Sequence, residues 1–235
     1  MISRQTNYLK GAITKMKRLF ASVISCVLIL SMICSGLTVF ATTITGAVDT
    51  DNFVRGVDVS TLDMLEDLGA RYYQNNVESD ALTILKNNGA NYVRLKLWVD
   101  PYDENGNPYG GGNNDYATTL ALARRAKNLG MGVLIDFHLS DFWTDPANQI
   151  KPKAWKDLSY SELKTTLYNY MKDTLNNFAA AGIVPEMVQV GNEISTGILH
   201  DDGKVGNGNE DFSNLAGLLE SAIAGVRASS ASNTK

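Results

Sequence analysis

Cysteine is almost missing from this chain: of 235 residues only Cys26 and Cys34 carry a thiol, and both fall within the first 41. A chain processed after Ala41 therefore has no thiolate nucleophile, no cysteine-held zinc site and no disulfide. Proline is scarce, with five residues, and glycine numbers 20, against 44% hydrophobic and 20% charged residues. That balance excludes collagen-like, disordered and disulfide-rich classes and leaves an ordinary globular protein. No basic stripe is present and the net charge is −4, so nucleic acid is not expected as a partner, because phosphate binding needs clustered Lys and Arg.

What is present begins with a charge asymmetry. Residues 1–41 hold Arg4, Lys10, Lys15, Lys17 and Arg18 and no acid. An apolar run from Leu19 to Ala41 follows and ends in Thr38-Val39-Phe40-Ala41. A basic start, an apolar core and a small-residue exit make a secretory signal peptide over 1–41, with Met16 an alternative start. The competing reading is an uncleaved anchor, since the run approaches the roughly 20 residues that span a bilayer. Lipidation at Cys26 is a lesser alternative. Residues 42–52 read as a short linker. Losing five basic residues and no acid takes the charge from −4 to −9, the charge of an acidic, secreted body that meets no membrane after cleavage.

From Phe53 onward, strand and helix patterns alternate. Strands are expected at 53–60, 92–98, 132–137 and 186–191. Helices are expected at 81–88 behind the N-cap Asp80, at 116–129, at 159–181 behind a Ser159/Glu162 capping pair, and at 212–227. Near-continuous apolar strands between helices argue a parallel sheet in an α/β fold, either doubly wound or a (β/α)8 barrel. No Gly-x-Gly-x-x-Gly follows the first strand, which counts against the dinucleotide-binding form. Gly110-Gly111-Gly112 lacks the Lys-Ser/Thr of a phosphate loop and reads as a surface turn. The loops 99–115, 138–158 and 194–211 are long enough to be functional.

A barrel places function at the C-terminal ends of its strands. Those ends carry Asp58 and Ser60; Arg94, Lys96 and Trp98; Asp136, Phe137 and His138; and Gly191-Asn192-Glu193. Carboxylates, an amide, an arginine and aromatics around one mouth suit glycoside chemistry, where carboxyl groups do acid/base or nucleophilic work and aromatic faces pack on sugar rings. Singly, each has a plain structural alternative. Glu193 reads as a solvated carboxylate, Arg94 as a buried ion pair, His138 as a core histidine and Trp98 as core. Position at the ends of four different strands is what favours function.

Four ordered motifs carry a resemblance. Gly56-Val57-Asp58-Val59-Ser60, Val93-Arg94-Leu95-Lys96-Leu97-Trp98, the segment Asp136-Phe137-His138-Leu139-Ser140-Asp141-Phe142-Trp143-Thr144-Asp145-Pro146, and Val190-Gly191-Asn192-Glu193-Ile194 resemble consecutive motifs of glycoside hydrolase family 53. These are arabinogalactan endo-β-1,4-galactanases built as (β/α)8 TIM barrels. The resemblance implies that Glu193 is the general acid/base, that Asn192 binds the sugar hydroxyl beside the scissile bond, that Arg94 and His138 organise that subsite, and that Asp141, Trp98 and Trp143 belong to the substrate cleft. It implies retaining hydrolysis of galactan side chains of pectin by a secreted protein that is monomeric at full length. Another clan A hydrolase, such as a cellulase or mannanase, and a non-catalytic carbohydrate-binding protein are the alternatives.

The family's nucleophile is a glutamate ending a seventh strand. Only four βα units are expected in 53–235, read as the N-terminal half of the catalytic domain. The 194 residues left after the leader fall short of the about 250 of a typical barrel. No cofactor is expected and no clustered Asp/Asn loop calls for a metal. A structural calcium known in bacterial members would belong to the other half.

Overall fold

The computed structural model describes residues 53–206, 208 and 210–235. The leader and linker expected at 1–41 and 42–52 lie outside the described residues.

Four strands form one parallel sheet in the order β1 (Gly56–Asp58), β4 (Tyr92–Leu97), β5 (Gly132–Phe137) and β6 (Met187–Val190). Asp58 lies beside Arg94, Arg94 beside Leu134, and Lys96 beside Asp136, which in turn lies beside Gln189. The helices between the strands are α2 (Ala81–Asn87), α3 (Tyr116–Asn128), α4 (Tyr160–Ala180) and α5 (Ser213–Arg227). This is a run of four parallel βα units, half the number in a (β/α)8 barrel. Lys235 adds a further parallel position on the free edge of β6: its N–H donates to the Glu186 carbonyl at 3.0 Å and its carbonyl accepts from Val188 at 2.9 Å.

Caps set the helix starts. Asp80 accepts from the Thr83 amide, Asp115 from the Thr118 amide, and Ser159 and Glu162 form a reciprocal capping box. Two pieces depart from expectation. The first strand is three residues long rather than eight, because Ser60 and Thr61 turn the chain into a short helix, α1 (Leu62–Asp67). After it comes an antiparallel hairpin, β2 (Tyr72–Gln74) and β3 (Val77–Ser79). Its two-residue turn, Asn75-Asn76, has positive φ at both positions, the geometry that favours Asn in a hairpin of right-handed twist. A smaller hairpin, β7 (Gly197–Ile198) and β8 (Gly203–Lys204), follows β6.

Strand alternation separates the core from the site. Val93, Leu95, Val133, Ile135 and Phe137 are fully buried, in one cluster with Leu122 and Ala126 of α3 and Leu163, Leu167 and Met171 of α4. The Phe137 ring meets Tyr170 of α4 edge-on at 5.8 Å. Each such side chain contributes about 1.5–3 kcal/mol by leaving water. Arg94, Lys96 and Asp136 occupy the alternate positions, so the same pleat that builds the core directs charge to the other face.

Candidate active site

Arg94 and Lys96 are two residues apart on β4 and therefore share a face. Arg94 Nη1 and Lys96 Nζ both donate to Asp58 Oδ2 at 2.6 Å. Arg94 Nε donates to Gln189 Oε1 at 3.2 Å and Nη2 to Asn192 Oδ1 at 2.8 Å. Nη2 also approaches Asp136 Oδ2 at 2.7 Å, and His138 Nε2 lies 2.9 Å from the same oxygen. Both contacts on Asp136 have angles outside hydrogen-bond geometry, and the one from Arg94 is a charge contact. Asp136 and His138 have no exposed side-chain surface. A carboxylate so buried is sustained only by adjacent cations. Two carboxylates, Asp58 and Asp136, balance Arg94 and Lys96.

The Thr144 amide donates to His138 Nδ1 at 3.2 Å. That ring nitrogen is therefore the acceptor, and a neutral ring carries its proton on Nε2, facing Asp136. Asp58 shows the field of the cluster. Burial pushes its carboxyl up, but hydrogen bonds from Lys96, Ser60 and Arg94 outweigh burial and hold it at about 2, against 3.8 for an ordinary aspartate.

After β6 the chain turns sharply through Gly191, Asn192 and Glu193. Gly191 has φ +84°, and a Cβ there would lie 2.7 Å from the Ile194 methyl, so only glycine fits. Asn192 is buried; its Nδ2 donates to the Thr144 carbonyl at 2.7 Å while Oδ1 accepts from Arg94. Glu193 adopts a left-handed backbone, φ 52° and ψ 44°, and its side chain is exposed.

Beside this turn stand the aromatics. Trp98 and Trp143 meet at 5.8 Å, each ring lies about 6 Å from His138, and Lys96 Nζ sits 4.8 Å above the Trp143 ring. Trp143, Phe142 and Tyr109 are each about two-fifths exposed and help line a groove of about 680 Å³.

All seven sequence-derived residues lie within β4 or in the segments that follow β4, β5 and β6, in three roles. Arg94, His138 and Asn192 form one connected set, and Glu193 adjoins it. Trp143 offers an open face. Trp98, expected as cleft wall, is 1% exposed and packs under Trp143 and Phe142. Asp141 lies in the loop after β5. Its two oxygens accept from the backbone amides of Asp100 at 3.0 Å and Lys153 at 2.8 Å, so it ties two loops together. Asp58, Lys96, Asp136 and Gln189 join the site although none was singled out as a binding residue. The signal was the alternation of charge within otherwise apolar strands. Among the described residues, no group of three or more His, Cys, Asp or Glu is placed to hold a metal ion.

Residues 54–235 match the profile of Glycosyl hydrolase family 53. An endo-beta-1,4-galactanase of Bacillus subtilis is 43% identical over 177 residues, which cover 75% of this chain and 39% of that protein. An arabinogalactan endo-beta-1,4-galactanase A of Aspergillus niger is 41% identical over 181 residues, 77% of this chain and 48% of the relative. Among solved structures, the GH53 catalytic domain of Ignisphaera aggregans superposes with a TM-score of 0.72 at 48% identity, covering 77% of this chain and 49% of that one. The chain spans about half or less of the length of these relatives.

Proposed function

The chain belongs to glycosyl hydrolase family 53, and from that premise we propose that residues 54–235 supply the acid/base half of the active site of a secreted, retaining endo-β-1,4-galactanase acting on arabinogalactan. The observation that carries the reading is the connected set Arg94–Asp58–Asp136–Asn192 at the strand ends, with Glu193 exposed beside it. The names of the Bacillus and Aspergillus relatives supply the substrate class.

In this mechanism Glu193 gives its proton to the glycosidic oxygen as the bond from the anomeric carbon to that oxygen breaks. A second carboxylate attacks the anomeric carbon and forms the glycosyl-enzyme ester. Glu193 then takes a proton from water as the water displaces that ester, and both carboxyl groups return to their starting state. Asn192, held by Arg94 and Thr144, presents its second amide hydrogen to the sugar 2-hydroxyl. Trp143 offers its open face to a pyranose ring. The attacking carboxylate comes from outside residues 53–235: the other strand-end carboxylates, Asp58 and Asp136, are each neutralised by cations, and Asp136 is fully buried. The 235 residues alone therefore hydrolyse nothing, and the full-length polypeptide is the enzyme, acting as a monomer outside the cell.

Reducing-sugar release by the full-length polypeptide from β-1,4-galactan, β-mannan and carboxymethylcellulose tests this. Release from galactan should exceed the other two by at least about 100-fold. A preference for mannan or cellulose would overturn the substrate, and no release from any of them would favour a binding protein.

A further inference from the structure

Glu193 is a non-glycine residue in the left-handed region, a strained conformation that persists only where its surroundings fix it. Its carboxylate makes no hydrogen bond or ion pair with the described residues, so the direction of the side chain is set by the backbone that carries it. The side chain that binds the carbonyls on both sides of Glu193 is buried and comes from the loop after β5. Gln149 is 2% exposed, and its Nε2 donates to the Asn192 carbonyl at 2.8 Å and the Glu193 carbonyl at 3.4 Å. The same nitrogen is 3.2 Å from the Asp145 carbonyl. All three partners are acceptors, which identifies the atom as the amide nitrogen. Gln149 is itself fastened, since its own carbonyl accepts from the His200 amide at 2.7 Å.

We propose that Gln149 is a positioning residue for Glu193: by binding the two peptide carbonyls that flank the left-handed residue, it aims the acid/base carboxyl at the glycosidic oxygen. This rests on the reading of Glu193 as the acid. Gln149 suits the task because it is neutral and donates without altering the charge balance of the cluster. Loss of the amide leaves the Glu193 carbonyl without its donor and the Asn192 carbonyl with only a 3.5 Å contact from the Thr144 hydroxyl, and lets both peptide planes rotate, carrying the Cα–Cβ bond of Glu193 with them. A misplacement of about 1 Å at a reacting group costs on the order of 100-fold in rate.

The test compares leaving groups in the full-length polypeptide. Galactan needs its leaving oxygen protonated, whereas 2,4-dinitrophenyl β-galactobioside loses 2,4-dinitrophenolate, an anion stable enough to leave without a proton. Gln149→Leu should lower kcat on galactan by about 10- to 100-fold with KM within about twofold, and should lower kcat/KM on the aryl substrate less than about threefold. Gln149→Asn, which keeps the donor but withdraws it by one methylene, should give a smaller loss with the same preference for the activated substrate. Equal losses on both substrates would place the effect on Asn192 or on the fold and overturn the proposal, as would an unchanged rate on galactan. Unfolding of both variants in thermal melts would make Gln149 a folding residue and overturn it too. Glu193→Gln measured alongside separates the two claims: if it shows no leaving-group dependence, the reading of Glu193 fails, whereas if it does and the Gln149 variants do not, only the positioning role fails.

Discussion

Asp58 sits where the electrostatics of the site can be read as stability. Its folded pKa is depressed to about 2 by Lys96, Ser60 and Arg94 against the cost of burial. A depressed carboxylate contributes stability above its unfolded pKa of about 3.8 and loses it as the pH falls toward 2. With its side chain 31% exposed, solvent screening trims the contribution to at most about 2 kcal/mol. Urea unfolding at pH 5 and pH 2.5 should show a loss in the wild-type chain that is smaller by up to this amount in Asp58→Asn. Equal acid losses in the two would mean that Asp58 is not the group that responds. The same residue shows the reach of single-residue reading. Asp58 and Lys96 were visible in their motifs as polar interruptions, but that both cations converge on one carboxylate oxygen depends on the lateral register of β1 against β4, which no local pattern encodes.

Elements were the most legible scale, because their signals are local. Asp80, Asp115 and the Ser159/Glu162 pair stand where helices begin, and the expected helices differ from α2, α3, α4 and α5 by a residue or so at either end. The hairpin at Tyr72–Ser79 is not legible in the sequence although Asn75-Asn76 is a turn signal, since the flanking strands have only three residues and no apolar alternation. Packing between elements was not legible. Gly225 looks like a weak point in α5, yet a Cβ there would lie 2.3 Å from the Tyr168 carbonyl of α4. Helix propensity alone makes Gly225→Ala stabilising by about 1 kcal/mol, while overpacking against rigid backbone makes it destabilising by about 1–3 kcal/mol. The second effect should win, because a backbone carbonyl cannot swing aside. Chemical denaturation gives the sign, and a stabilised variant would show that α4 and α5 pack less closely than described.

At the scale of the whole molecule, the composition and the architecture point the same way. A cysteine-free, acidic chain beyond Ala41 suits a protein that works in an oxidising exterior. Four parallel βα units gather Arg94, Asp58, Asp136, Asn192 and Glu193 on one side of the sheet, and the proposed mechanism takes its attacking carboxylate from outside them. Family membership was legible from four motifs because each is a strand end where chemistry fixes the residue type. The surroundings of Trp98 and Asp141 depend on the third dimension, where an indole lies under its neighbour and a carboxylate is turned toward backbone amides. The central claim is that Glu193 is the acid/base of a galactan-cleaving site. The most direct measurement is reducing-sugar release from β-1,4-galactan by the full-length polypeptide, wild type against Glu193→Gln, with galacto-oligosaccharide binding followed in parallel. The rate should fall by about 10²- to 10⁴-fold while binding persists; a variant that cleaves galactan at the wild-type rate would contradict the account.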